Sequence, residues 1–311
     1  LNLKTQKILN KMSFASRLWK AVDKKNTPAM VGLDSRLDHL PEPFASRAQD
    51  GPVEAAAALV DYHRALIDIL AEHIAVIKPQ SAFFELLGPH GWQACGDAIA
   101  YAKDRGLIVL LDAKRGDIGS TSKAYAQALL GGGFEHAFPA SDALTLNPYL
   151  GDDAAEPFLK IAKEQQAGLF FLVKTSNPGA SLFQNHGSPP LAEIVAKQVH
   201  RWGEETRNDA GWSDIGAVVG ATRPEELARF RKLMPHTPLL LPGFGFQGGT
   251  ADGLSAAFDK KGHGALVNSS RGILWAYKRE DLFHLATWEA RTEAAVIEMK
   301  EQLASVTRVQ Q

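Results

Sequence analysis

The chain has 311 residues, 45% hydrophobic and 22% charged, which is the composition of an ordinary globular protein and excludes a wholly disordered or collagen-like one. Lys and Arg total 34 against 35 Asp and Glu, so the formal net charge is −1 and no global field draws the chain to nucleic acid or to an anionic membrane. The single cysteine, Cys95, excludes an intramolecular disulfide and any zinc site built on two thiolates from this chain, and no apolar run approaches a membrane span.

The opening stretch, LNLKTQKILNKM, has no secretory apolar core and no small-residue cleavage pattern. Ser13 is a good helix N-cap, and Phe14, Leu18 and Val22 follow at helical spacing. The folded domain is therefore expected over 13–311, with 1–12 as a flexible or non-native extension. The missing export signal and the single thiol point to the cytoplasm.

Apolar runs at 29–33, 74–77, 107–111, 143–146, 169–173, 215–219, 239–241 and 265–267 read as strands. Helical patterns separate them. In 54–70, Leu59, Tyr62, Leu66 and Ile69 mark one face, and the tail repeats Val296, Met299, Leu303 and Val306. Gly131-Gly132-Gly133 and Ser188-Pro189-Pro190 read as loops inside βα units, with no linker dividing the chain. Alternating β and α segments argue for a parallel sheet, and the count of strands predicts a single-domain (β/α)8 TIM barrel.

In such a barrel the residues just past each strand face the active site. Here those positions carry Asp34, Lys78, the stretch from Asp112 to Asp117, Lys174 to Asn177, the glycine-rich segment from Gly243 to Gly249, and Ser269 to Gly272. Strand alternation turns Asp112 and Lys114 the same way, with Asp117 at the start of the next loop. An ammonium among carboxylates stays charged. It is a poor nucleophile but a positioned proton donor, and the carboxylates repel an anionic group set against them. That suits loss of a carboxylate followed by protonation of a carbanion-like centre. A plain ion-pair network at the rim is the structural alternative. The last two loops are the usual phosphate place, where glycine N–H groups, Arg271 and Gln247 could grip an anion.

Other signals point nowhere. Gly243, Gly245 and Gly248 fit a dinucleotide fingerprint, but the run that follows ends in Asn268 and not in an acid. Arg115-Gly116-Asp117 spells an adhesion tripeptide at a strand end. The ten histidines form no metal-binding pattern, Asp152-Asp153 reads as a solvated pair, and Cys95 reads as a buried, inert thiol.

Several segments in order resemble the orotidine 5′-phosphate decarboxylase family, in its longer bacterial (type 2) form. They are VGLD from Val31, KPQSAFFE from Lys78, DAKRGDIGST from Asp112, NPYLG from Asn147, VKTSNP from Val173, VGAT from Val219, PGFGFQGG from Pro242 and SSRGI from Ser269. The resemblance implies a cofactor-free, metal-free lyase that turns orotidine 5′-phosphate into UMP and CO2. It implies that Lys114 is the proton donor to C6, that Asp112 lies against the substrate carboxylate, and that Lys78 joins the charge network and contacts the ribose. It further implies that Asp34 binds a ribose hydroxyl, Ser176 the pyrimidine edge, and Gln247 and Arg271 the phosphate. It implies a homodimer in which Asp117 and Thr121 reach into the neighbouring subunit's site, with a small-molecule substrate and neither nucleic acid nor membrane as partner. The pattern departs at Phe246, where a smaller residue is commoner. Two other readings stay open: a metal-dependent sugar-phosphate barrel, and a catalytically idle barrel that binds a phosphate ligand.

Overall fold

The computed structural model describes residues 12–134, 137–220, 223–244 and 251–307. Eight parallel strands run β1 Ala29–Leu33, β2 Val76–Pro79, β3 Ile108–Arg115, β4 Ala143–Leu146, β5 Gly168–Lys174, β6 Ile215–Val219, β7 Leu239–Leu241 and β8 Ala265–Ser269. Each pairs with the next, and β8 returns to β1 with Ala29 opposite Val267, so the sheet closes into the expected (β/α)8 barrel. Four strands keep the expected bounds. The others run further toward the mouth. There β2 takes in Lys78, β3 takes in the whole segment from Asp112 to Arg115, and β8 reaches Ser269. The apolar run ends where inward side chains become polar, but the backbone ladder does not depend on that change.

Period-two alternation explains the interior. Met30, Val76, Leu110, Ala143, Phe170, Val218, Leu240 and Leu266 fill the lower barrel as an apolar layer. Two residues further along β2, β3, β4 and β8, the inward positions are Lys78, Asp112, Thr145 and Asn268, which line a cavity at the mouth. One step along each strand thus converts a packed core into a polar site.

The far end is closed by α1 (Phe14–Lys25), whose Phe14, Leu18, Trp19 and Val22 pack against that apolar layer. Ser13 caps it as expected, accepting from the Ser16 N–H at 3.3 Å. The Phe14 ring meets Phe170 edge-on at 6.1 Å, and Gly168 makes the approach possible, since a Cβ there would lie 2.4 Å from the ring. Asp214 accepts from the Ala15 N–H at 2.7 Å, and Arg17 pairs with Asp142 at 2.6 Å.

The outer helices cover the barrel with one continuous core. On α2 (Pro52–His73), Leu59, Tyr62 and Leu66 are buried as expected, but Leu70 takes the place expected of Ile69, which is half-buried. Eleven residues from Leu59 complete three turns at 3.6 per turn and return to the same face, and ten do not. On α3 (Gly88–Asp104), Cys95 is buried and its thiol is pushed up to about 12, which makes it unreactive. The C-terminal helix Trp288–Thr307 buries Val296, Met299 and Leu303, with Val306 half-buried. Among the described residues no helix is long and apolar enough to cross a membrane.

Candidate active site

The site is built from β3 outward. Lys114 takes a left-handed backbone, with φ of 46°, and the β3–β4 register shifts between Leu111 and Arg115. Plain alternation is therefore not what brings Lys114 beside Asp112; a local kink does. Such a conformation costs a non-glycine residue about 1–3 kcal/mol and survives only where its surroundings hold it. Here the Lys114 N–H donates to Thr145 Oγ1 at 2.9 Å. With the kink in place, Lys114 Nζ reaches Asp112 Oδ1 at 2.6 Å.

Asp112 collects four donors. Lys114 Nζ and Thr145 Oγ1 (2.8 Å) reach Oδ1, and Lys78 Nζ (2.9 Å) and Gln80 Nε2 (3.0 Å) reach Oδ2. Burial opposes ionisation of this carboxyl, but Lys78 and Lys114 outweigh it and hold Asp112 well below the usual carboxylate range. Burial likewise works against the charge on Lys78, and Asp112 with Asp34 more than offset it, so its pKa is raised. Lys78 Nζ lies 3.5 Å from Asp34 Oδ1. The result is a row of alternating charge, Asp34–Lys78–Asp112–Lys114. The inner lysine is 5% exposed and the outer 45%, so only Lys114 offers its ammonium freely to the cavity.

The cavity encloses about 330 Å³ and takes in Asp34, Lys78, Asp112, Lys114, Ser176 and Arg271, six of the expected site residues. Ser176 follows β5 on a loop clasped by Gln184, which accepts from the Thr175 N–H at 2.9 Å and donates to Thr175 Oγ1 at 2.8 Å. Arg271 opens the short helix Arg271–Leu274 and lies over the Trp275 ring at 6.0 Å. Gly32 occupies an inward position on β1, where a Cβ would fall 2.1 Å from Ser270 Oγ, so the missing side chain admits Ser270 to the mouth. Gln247 and Phe246 lie outside the described residues.

Some residues singled out by sequence do not line this cavity. Asp117 lies on the loop after β3, where its carboxylate accepts from the Ile118 N–H at 2.8 Å, and Thr121 is exposed on the first turn of the helix Gly119–Leu130. Lys174 does not join the convergent charges. A register shift between Leu172 and Lys174 turns it away, toward Asn185 and, at 3.6 Å, Glu226. Asp152 and Asp153 are exposed at a helix start, with Asp152 held by Gln198 at 2.5 Å and Trp202 at 2.9 Å. Among the described residues no group of three or more His, Cys, Asp or Glu could hold a metal ion. A larger groove of about 700 Å³ between Tyr149, Phe183 and Trp202 has mostly apolar walls and no comparable charge cluster.

Sequence reading overlooked Gln80, Thr145 and Asn268. Each could have been found by counting in steps of two from an inward core position, one step from Ala143 to Thr145 and from Leu266 to Asn268, and two steps from Val76 to Gln80. Chemically, the arrangement disfavours an anion pressed against Asp112 and favours negative charge building up beside Lys114, to which it can deliver a proton.

Comparison with known proteins finds one family throughout. The model of the family described as orotidine 5′-phosphate decarboxylase / HUMPS matches residues 36–281. A curated orotidine 5′-phosphate decarboxylase of Rhodopirellula baltica is 44% identical over 299 residues, covering 94% of this chain and 99% of the relative. One from Deinococcus radiodurans is 42% identical over 265 residues, covering 85% of this chain and 90% of the relative. The solved structure of Leishmania donovani OMP decarboxylase superposes with a TM-score of 0.71 at 32% identity, covering 95% of this chain and 99% of that one.

Proposed function

The chain belongs to the orotidine 5′-phosphate decarboxylase / HUMPS family, and from that premise we propose how its barrel mouth carries out the conversion of orotidine 5′-phosphate to UMP and CO2. The enzyme is a carbon–carbon lyase of pyrimidine nucleotide synthesis. The observation that carries the residue assignments is the alternating row Asp34–Lys78–Asp112–Lys114 lining a cavity that also includes Arg271.

Arg271, with Gln247, holds the phosphate. Ser176 meets the pyrimidine edge, and Asp34 and Lys78 meet the ribose. Binding energy from these remote groups holds the substrate carboxylate near Asp112, which repels it. The C6–carboxylate bond breaks, its electron pair stays on C6, and CO2 departs. The Lys114 ammonium then transfers its proton to C6, leaving UMP and a neutral amine that solvent reprotonates. A fixed ammonium attracts C6 more strongly as charge accumulates there, so preorganised electrostatics supply more of the effect than ground-state repulsion does. No cofactor or metal enters this scheme.

The active unit is a homodimer in which Asp117 and Thr121 complete the partner's site. Both lie at the rim outside their own cavity, and apolar Leu86, Ile118 and Tyr149 are exposed on three consecutive loops of the same flank. The buried single thiol suits a cytoplasmic enzyme.

The direct test is ultraviolet assay of orotidylate consumption by the enzyme and by Lys114→Ala. The variant is expected to lose turnover while still binding UMP. Near wild-type turnover by Lys114→Ala would overturn the assignment, and turnover that survives a chelator would count against a metal-dependent sugar-phosphate barrel.

A further inference from the structure

We propose that Thr145 is a positioning residue for the proton-donor lysine: its hydroxyl ties the kinked backbone of Lys114 to the carboxylate of Asp112 and so aims the ammonium into the cavity. The inference rests on the reading of Lys114 given above.

Thr145 is 1% exposed and lines the mouth of the barrel. Its Oγ1 accepts from the Lys114 N–H at 2.9 Å and lies 2.8 Å from Asp112 Oδ1. The direction of both bonds is fixed. A backbone N–H can only donate and an ionised carboxylate can only accept, so the single hydroxyl proton points at Asp112. The same Oδ1 receives Lys114 Nζ at 2.6 Å. The lysine is thus held at both ends by one small cluster, its amide through Thr145 and its ammonium through Asp112.

This matters because Lys114 is not in relaxed strand geometry. Its φ is 46°, and the ladder to β4 is broken between Leu111 and Arg115, so its N–H takes a side-chain acceptor. The other β4 residues, Ala143, Leu144 and Leu146, are apolar and offer no substitute. With the hydroxyl gone, that N–H loses its acceptor, the backbone can relax toward ordinary extended values, and Nζ moves off its aim. A shift of about 1 Å at a reacting group can cost a hundredfold in rate.

The test compares Thr145→Val and Thr145→Ser in the full-length enzyme with orotidine 5′-phosphate. Val keeps the shape and removes both hydrogen bonds, while Ser keeps both. Thr145→Val is expected to lower kcat about 10- to 100-fold, with KM and UMP affinity changed less than about threefold. Thr145→Ser is expected to retain most activity. A merely structural role would lower the melting temperature and leave kcat of the folded variant in place. Should the Val variant melt below assay temperature, Thr145→Cys, similar in size and a weak hydrogen-bonder, carries the same expectation. Wild-type kcat in the Val or Cys variant would overturn the proposal alone, as would equal loss in Val and Ser. Absence of turnover in the unmutated enzyme would overturn the reading of Lys114 and this proposal with it.

Discussion

Replacing Asp112 with Asn tests the charge row itself. The carboxylate accepts from Lys114 and Thr145 on one oxygen and from Lys78 and Gln80 on the other. An amide has the same shape but must turn an NH2 toward two of those donors, and it removes the negative charge between two cations. Lys78 suffers most, because its side chain is 5% exposed and only Asp34 remains, at 3.5 Å. Removing one partner of a buried pair costs about 3–5 kcal/mol. At about 2–4 °C per kcal/mol for a large domain, thermal denaturation at pH 7 should shift down by roughly 6–20 °C. The deficit should depend on pH. In the wild type the pKa of Lys78 is raised, so its stabilisation is present below the unfolded lysine value and is lost as pH rises through the folded one. In the variant, burial with one weaker partner lowers that pKa, and stability recovers as the amine sheds its proton. The two melting curves should therefore converge above about pH 10, near the lysine reference value. Convergence should also occur toward strong acid, where the depressed Asp112 carboxyl of the wild type is finally protonated. Equal melting temperatures at pH 7, or a gap that stays constant from pH 6 to 10, would refute the reasoning.

Two further outcomes are expected. Refolded mixtures of Lys114→Ala and Asp117→Ala, each inactive alone, should regain about a quarter of wild-type activity, since half of the dimers are mixed and each mixed dimer has one intact site; no recovery, with mixed dimers verified by mass, would exclude a shared site. Burial pushes the Asp214 carboxyl up to about 6 from 3.8, so its contribution is present below the lower value and is lost as pH rises through the higher one. Asp214→Asn keeps the Oδ1 acceptor for the Ala15 N–H and cannot ionise, so it should stabilise the fold by up to about 3 kcal/mol at pH 8 and by little at pH 4, measured by denaturant unfolding.

The barrel was legible because its strands are short apolar islands, and β1, β4, β6 and β7 coincide with those islands. Strand ends were less legible wherever inward residues turn polar, as at Lys78 and Asp112, because a side-chain pattern reports burial and not backbone pairing. Lys174 shows the opposite failure: its position past an apolar run suggested a site residue, but a register shift points it at Glu226. The charge row was legible in its charged members and not in Gln80 or Thr145. Neutral residues give no signal until inward parity is counted from Val76 and Ala143. The kink at Lys114 was invisible, since nothing in a lysine's chemistry calls for a left-handed backbone.

The helix that stops up the barrel's far end turns the reaction chamber into a blind alley. Substrate comes in, and nucleotide and gas go out, by one doorway. Carbon dioxide freed beside Asp112 must slip past the still-bound UMP or wait for it to leave. The traffic of both products is thereby tied to that single doorway, and Ser13, at the start of the closing helix, lies at the opposite end of the barrel from it.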